Sequence, residues 1–154
     1  TNGVDTYTGG YTGLCNSGSS AANCKVPYYD SWGSNAWWDA ANNRWILAGR
    51  YRVERHVWSF TPGGNAVKLA HTARNIDESA IWLNESGTDM LYYCYGGKIY
   101  KHNITTDTDL GLMNWPISNL RCVGLRMDHN PTNNSIIFPF EQNGLYGVAE
   151  YFLD

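Results

Sequence analysis

The sequence predicts an all-β fold, read as three consecutive units of antiparallel strands, and three observations carry that expectation. Aromatic residues reach 14%, with seven Trp and eleven Tyr, while charged residues are only 16%. Tyr, Trp, Thr and Val favour strands, and no segment carries the apolar stripe of a helix. Sixteen Gly among many Asn, Ser and Thr supply frequent tight turns. Finally, the chain repeats itself along its length.

Residues 1–30 stand outside the repeat. Thr1 to Ala22 is rich in Gly, Ser, Asn and Thr and reads as an irregular, disulfide-tied arm. Lys25-Val-Pro-Tyr-Tyr29 reads as an edge strand, where Pro27 is tolerated because an edge need not donate every N–H.

Residues 31–154 hold three repeats of about 45 residues. The first reads Asn35-Ala-Trp-Trp-Asp-Ala-Ala-Asn-Asn-Arg-Trp-Ile-Leu47, then Arg55-His-Val-Trp-Ser-Phe60. The second reads Ser79-Ala-Ile-Trp-Leu-Asn-Glu-Ser-Gly-Thr-Asp-Met-Leu-Tyr-Tyr93, then Gly97-Lys-Ile-Tyr-Lys-His-Asn-Ile104. The third reads Val123-Gly-Leu-Arg-Met-Asp-His-Asn-Pro-Thr-Asn-Asn-Ser-Ile-Ile-Phe138, then Gly144-Leu-Tyr-Gly-Val-Ala-Glu-Tyr-Phe152. Each gives a short apolar strand, a polar turn, a strongly apolar strand, a second turn and an amphipathic strand. The last strand opens on an aliphatic-aromatic pair: Val57-Trp58, Ile99-Tyr100 and Leu145-Tyr146. Asp107 to Met113 reads as one helical turn.

The turn positions Asn43, Asp89 and Asn134 stand 46 and 45 residues apart. That period matches the blade spacing of a β-propeller. The alternative is a disulfide-stabilised β-sandwich or jelly roll, which also alternates strands and turns. The 154 residues suit a single domain. Three blades leave an open sheet face at each end, and propellers close at about four to eight blades. A propeller reading therefore requires a homodimer or a partner chain.

Cys15, Cys24, Cys94 and Cys122 form no Cys-x-x-Cys, so zinc ligation has no support. Three connectivities exist. Cys15–Cys24, stapling a polar loop, and Cys94–Cys122, closing a loop between two apolar strands, are preferred. Asn84-Glu85-Ser86, Asn103-Ile104-Thr105 and Asn133-Asn134-Ser135 are three N-glycosylation sequons at expected turns or strand ends. With Thr1 read as a processed N-terminus, these features point to a secreted, extracellular protein.

A formal charge of −3 without a basic face argues against nucleic acid. No apolar run approaches the roughly 20 residues of a membrane span. No Gly-x-Ser-x-Gly elbow or His-Glu-x-x-His motif is present, and His56, His71, His102 and His129 sit in separate segments. No catalytic residue, metal site or cofactor is therefore assigned. Paired carboxylates for glycoside hydrolysis remain an alternative drawn from Asp30, Asp39, Asp77, Glu78, Asp128 and Glu141.

Trp32, Trp37, Trp38 and Trp45 fall within fourteen residues, among Asn35, Asp39 and Arg44. Sugars stack C–H faces on indoles while their hydroxyls meet Asp, Asn and Arg, the general recipe of an apolar platform with a few placed polar groups. Core packing competes with that reading, and alternation sends Trp37 and Trp38 to opposite faces. In Leu91-Tyr-Tyr-Cys-Tyr95, Tyr93 and Tyr95 share one face, Tyr92 and Cys94 the other. The candidate ligand-binding residues are Trp32, Asn35, Trp38, Asp39, Arg44, Tyr92, Tyr100 and Tyr146. The expected ligand is a glycan; the rival classes are an extracellular protein-interaction, defence or virulence factor and a glycan-active hydrolase.

The units Ala80-Ile-Trp-Leu83, Met90-Leu-Tyr-Tyr93 and Lys98-Ile-Tyr-Lys101 resemble, in strand pattern, blades of the fungal fucose-binding lectins, over about Asn35 to Phe152. The resemblance implies a six-bladed propeller binding sugar between blades through an Arg, a Glu and an aromatic platform. Arg44 matches the Arg in the first unit. Asp89 and Asn134 stand near that place in the others, and Tyr100 and Tyr146 follow the aliphatic residue where the pattern would run toward Glu. These departures leave the sugar open.

Overall fold

The structure, a computed structural model, describes residues 14–15, 26–27, 35–48, 55–61, 66–76, 79–114, 118–123 and 126–153. Trp32 and the expected Cys15–Cys24 bridge lie outside what is described. The described residues are all-β, without a helix.

A small parallel pair, β1 (Leu14–Cys15) and β2 (Val26–Pro27), precedes three antiparallel sheets. The first sheet is a meander of β3 (Asn35–Asp39), β4 (Arg44–Ala48), β5 (His56–Phe60) and β6 (Ala66–His71). The second repeats that order with β7 (Ala80–Glu85), β8 (Thr88–Tyr95), β9 (Lys98–Asn103) and β10 (Thr108–Leu112). In the third, β11 (Leu120–Cys122) and β12 (Asp128–Asn130) pair with opposite ends of one edge of β13 (Ser135–Gln142). β14 (Leu145–Phe152) pairs along the other edge.

Strand alternation gives every sheet two faces, and the sheets stack in chain order. Ile46, Ala48, Val57 and Ala70 of the first sheet pack on Ala80, Leu91, Tyr93 and Ile104 of the second. From the opposite face of the second, Ile81, Met90, Tyr92, Cys94 and Ile99 pack on Leu120, Cys122, Ile136 and Phe138 of the third. A sheet's forward face thus meets the rear face of the next sheet. β8 lies at the centre, so Tyr92 and Tyr93 are both fully buried on opposite sides of it, each contributing about 2–3 kcal/mol of apolar burial. The alternation expected of Leu91 to Tyr95 is present.

Asp89 is not a turn residue; it is a buried member of β8. The left-handed positions of the equivalent hairpins are Asn43 (φ 49°), Ser86 (φ 51°) with Gly87 (φ 88°), and Asn134 (φ 50°). Asp107 to Met113 is not the helical turn expected: Asp107 closes a turn and Thr108–Leu112 form β10. Asp107 adopts φ 50°, and its carboxylate accepts the His71 backbone N–H at 2.8 Å and lies 3.0 Å from His102 Nε2. These contacts fix a tight reversal that returns the chain along β9. The aliphatic-aromatic pairs also diverge: Val57 and Ile99 are fully buried on forward faces, whereas Leu145 is 74% exposed.

The Cys94–Cys122 disulfide is present and ties β8 to β11 across the second junction. Beside it the Cys122 N–H donates to the Gly97 carbonyl at 2.7 Å. Gly97 has φ +79°, and a Cβ there would meet Arg121 Nε at 2.9 Å and its Cβ at 3.0 Å. Gly97→Ala is expected to lose about 1–2 kcal/mol from the left-handed backbone alone, measured by urea unfolding. A loss of less than half that would show that the junction yields easily.

Candidate functional site

At the hairpin ends of the stack, charge is organised across the first junction. Arg44 Nε donates to Asp39 Oδ2 at 2.8 Å within its own sheet, and Arg44 Nη2 donates to Asp89 Oδ2 of the second sheet at 2.7 Å. Asn42 adds a side-chain bond to Asp39 at 2.8 Å. Asp39 is only 3% exposed. Burial opposes its ionisation, but hydrogen bonds from Arg44 and Asn42 outweigh that and hold its carboxyl below the usual carboxylate value. One guanidinium thus bridges two carboxylates.

Asp89 passes this order on. Its Oδ1 accepts the Trp82 indole N–H at 3.2 Å and the Asn84 amide at 2.9 Å, and its backbone N–H donates to Thr105 Oγ1. Trp82 and Asn84, on β7, help line an open cleft of about 600 Å³ that reaches the third sheet. Leu83, Glu85, Ser86, His129 and Asn134 complete the lining. Glu85 accepts the buried Tyr92 hydroxyl and lies 3.1 Å from Lys101 Nζ. Burial, then Glu85, pushes the Tyr92 phenol well above its ordinary value. His129 Nε2 is 3.3 Å from Asn134 Oδ1. The cleft therefore brings residues of β7 and its turn together with the β12–β13 hairpin, while the side chains of Trp82 and Asn84 turn to Asp89 on the face of the second sheet that packs toward the first.

The expected ligand residues separate into different settings. Asp39 and Arg44 come together as the support behind Trp82 and Asn84. Asn35, half-buried, opens β3 opposite Ala48. Tyr92 is core. Tyr100 is half-buried under the Arg74 guanidinium, 4.3 Å from its ring centroid. Tyr146, 78% exposed, lies on the forward face of the third sheet. Trp38 pairs with Trp45 on the rear face of the first sheet, their rings 5.2 Å apart and tilted by 59°. The other described residues on that face include Ala36, Leu47, Trp58 and Phe60; tilted rings amid apolar neighbours suit an apolar contact better than a flat sugar platform.

The sequon Asn84 is the penultimate residue of β7, Asn103 ends β9 and Asn133 lies in the β12–β13 turn. Of the carboxylates weighed for hydrolysis, Asp39 is held by Arg44, Asp128 is exposed with Arg126 at 3.7 Å, and Glu141 accepts the Gly144 N–H. Asp30, Asp77 and Glu78 lie outside the described residues. Among the described residues, no group of three or more His, Cys, Asp and Glu is placed to hold a metal ion.

Trp82, Glu85, Ser86 and His129 do not stand out in the sequence as ligand residues. The available signal was Trp82, which occupies in the second unit the strand position that a Trp holds in the first. Asn134 and Asn84 were visible only as a turn residue and a sequon. Compared with known proteins, the chain matches no family model, no curated protein and no solved structure.

Proposed function

We propose that this chain is an extracellular carbohydrate-binding protein whose stacked sheets are propeller blades, with the glycan held in the cleft between the second and third sheets. The carrying observation is an open cleft lined by Trp82, Leu83, Asn84, Ser86, His129 and Asn134. Its size suits one or two sugar rings, and its mixture of apolar and hydrogen-bonding residues suits C–H faces ringed by hydroxyls. Its lining has one carboxylate, Glu85, already engaged by Tyr92 and Lys101. Glycoside hydrolysis needs two free carboxyl groups flanking the bond, so this chemistry favours binding over turnover. The inter-sheet disulfide and the three sequons favour an oxidising compartment. The resemblance of the units to fucose-lectin blades points the same way.

Binding to a glycan array by the folded protein tests the reading. Trp82→Ala is expected to weaken binding roughly tenfold or more, about 1.4 kcal/mol. An array without binding, beside tight binding to a protein, would replace the lectin reading with that of an interaction protein.

A further inference from the structure

A cross-strand pair of imidazoles ends the β5–β6 ladder. His56 opens β5, His71 closes β6, and the register sets them directly opposite each other. One step on, the Thr72 N–H donates to the Arg55 carbonyl at 2.7 Å, so 56–71 is the neighbouring pair without ladder hydrogen bonds. In that class of pair, opposite side chains come closest. The His71 N–H accordingly leaves the ladder and donates to the Asp107 carboxylate at 2.8 Å. The two ring centroids are 4.9 Å apart and the rings are tilted by 47°. His56 also meets Trp58 edge-on, at 5.8 Å. His71 is exposed and His56 half-buried. Beyond Ala70 the pairing skips Leu69, a β-bulge of the kind that re-aims neighbouring side chains.

We propose that His56 and His71 form a two-imidazole site for a divalent first-row transition ion, with water completing its shell. Imidazole suits Zn2+, Ni2+ and Cu2+. Such an ion lies about 2.0–2.1 Å from each nitrogen, which sets the two ligating atoms roughly 3 Å apart. Rings 4.9 Å apart can present nitrogens at that spacing by turning about χ2, a broad torsion in histidine. Each ring spends one of its two nitrogens on the ion, and the other can keep a partner in the protein. The backbone under the ligands is held. Arg55 and Thr72 close the ladder behind them, and Asp107 ties His71 to the turn before β10 while lying 3.0 Å from His102 Nε2. Charge also suits a cation. Arg55 Nη1 is turned to the Ala73 carbonyl and Arg74 Nη1 to Asp109 at 2.6 Å, whereas the Asp107 carboxylate adds a negative charge beside His71. Among these ions Cu2+ is held most tightly. With two protein ligands the affinity falls below that of a closed structural zinc site, which uses four.

The test is titration of Cu2+, Ni2+ and Zn2+ into the folded protein, followed by calorimetry and by tryptophan fluorescence. Cu2+ is expected to bind and to quench emission, because Trp58 lies against His56. His71→Ala and His56→Ala, one from each strand, are each expected to weaken Cu2+ binding roughly tenfold or more, whereas His129→Ala leaves it unchanged. The exposed His71 makes its variant the one that unfolds near the wild-type temperature without metal. Saturating Cu2+ then raises the melting temperature of the wild-type chain and not that of the variant. In the electron paramagnetic resonance spectrum, the wild-type ion couples to nitrogens of two imidazoles and each variant's ion to one. No uptake at sub-millimolar Cu2+ overturns the proposal. So does a His71→Ala chain that binds like the wild type, and so does a wild-type spectrum with nitrogen from a single imidazole. The pair belongs to the first sheet and the cleft to the second and third. A chain that binds glycan but no metal therefore strikes only the metal site, and one that takes up Cu2+ but is blind to every glycan strikes only the lectin reading.

Discussion

Replacing Arg44 with Met is expected to cost about 3–5 kcal/mol of stability, the effect of leaving buried carboxylates without their cation. Its guanidinium is 20% exposed in side-chain terms, while the side chains of Asp39 and Asp89 are 4% and 13% exposed. The pair of ion pairs contributes little relative to a well-packed apolar substitute of all three groups, but removing the cation alone strands two negative charges at an inter-sheet contact. For a chain of this size such a loss lowers the melting temperature by roughly 10 °C. Arg44→Lys should lose less, because the charge survives although a single ammonium cannot fork to both partners.

The pH dependence separates this cause from simple loss of packing. In the wild-type protein, hydrogen bonds hold the Asp39 pKa below its ordinary value of 3.8 despite the opposing effect of burial. The corresponding stability is present above pH ~4, and is lost as pH falls through the lower folded value. Without Arg44 the same carboxyl resists ionisation, so acid relieves the variant instead of harming it. The gap between the two proteins should be widest near neutrality and narrow below pH ~5. Chemical unfolding across pH measures it. A constant gap, or a loss below about 1 kcal/mol at neutral pH, would mean that Arg44 acts through its methylenes alone. Because Asp89 also holds Trp82 and Asn84, the variant should bind the array ligand more weakly at a temperature where it remains folded.

The strands were legible because their signals are local. Alternation in Leu91 to Tyr95, and the opposite facing of Trp37 and Trp38, follow from backbone geometry alone. Asn43 and Asn134 announce their turns by tolerating the left-handed region. Asp89 misled because a carboxylate after Ser86-Gly87-Thr88 looks like part of the turn, and the guanidinium that permits its burial comes from a residue 45 positions earlier. Asp107 misled for a related reason: its partners, His71 and His102, come from neighbouring strands. The cleft was hidden further, since its walls come from β7 and from the β12–β13 hairpin. Dense Trp in the first unit drew the ligand assignment toward Trp38 and Arg44. One proved to sit on an outward apolar face and the other behind the cleft. Composition marks aromatic residues; only sheet stacking decides which of them face a core and which face outward.

Removing the Cys94–Cys122 bridge by a paired Cys→Ala exchange should cost roughly 3–4 kcal/mol, from the chain entropy of a loop closed over a separation of 28 residues. Paired alanines avoid leaving a thiol buried among Met90, Tyr92 and Phe138, where both cysteines now lie. The bridge ties the second sheet to the third, and Arg44 ties the first to the second, so the two lesions open different ends of the stack. Amide exchange should show it. Loss of the disulfide is expected to raise exchange most in β11 to β14, and loss of Arg44 most in β3 to β6, as separate junctions require. Combining them should add their free energies to within about 0.5 kcal/mol. Uniform acceleration across all three sheets in both variants would instead describe one indivisible core, with neither junction able to loosen alone. In that case the cleft could not be weakened from the disulfide side without unfolding the protein. If the junctions are separate, the paired exchange should weaken the proposed glycan binding well below its melting temperature, because the cleft's walls, β7 and the β12–β13 hairpin, belong to the two sheets that the bridge ties together.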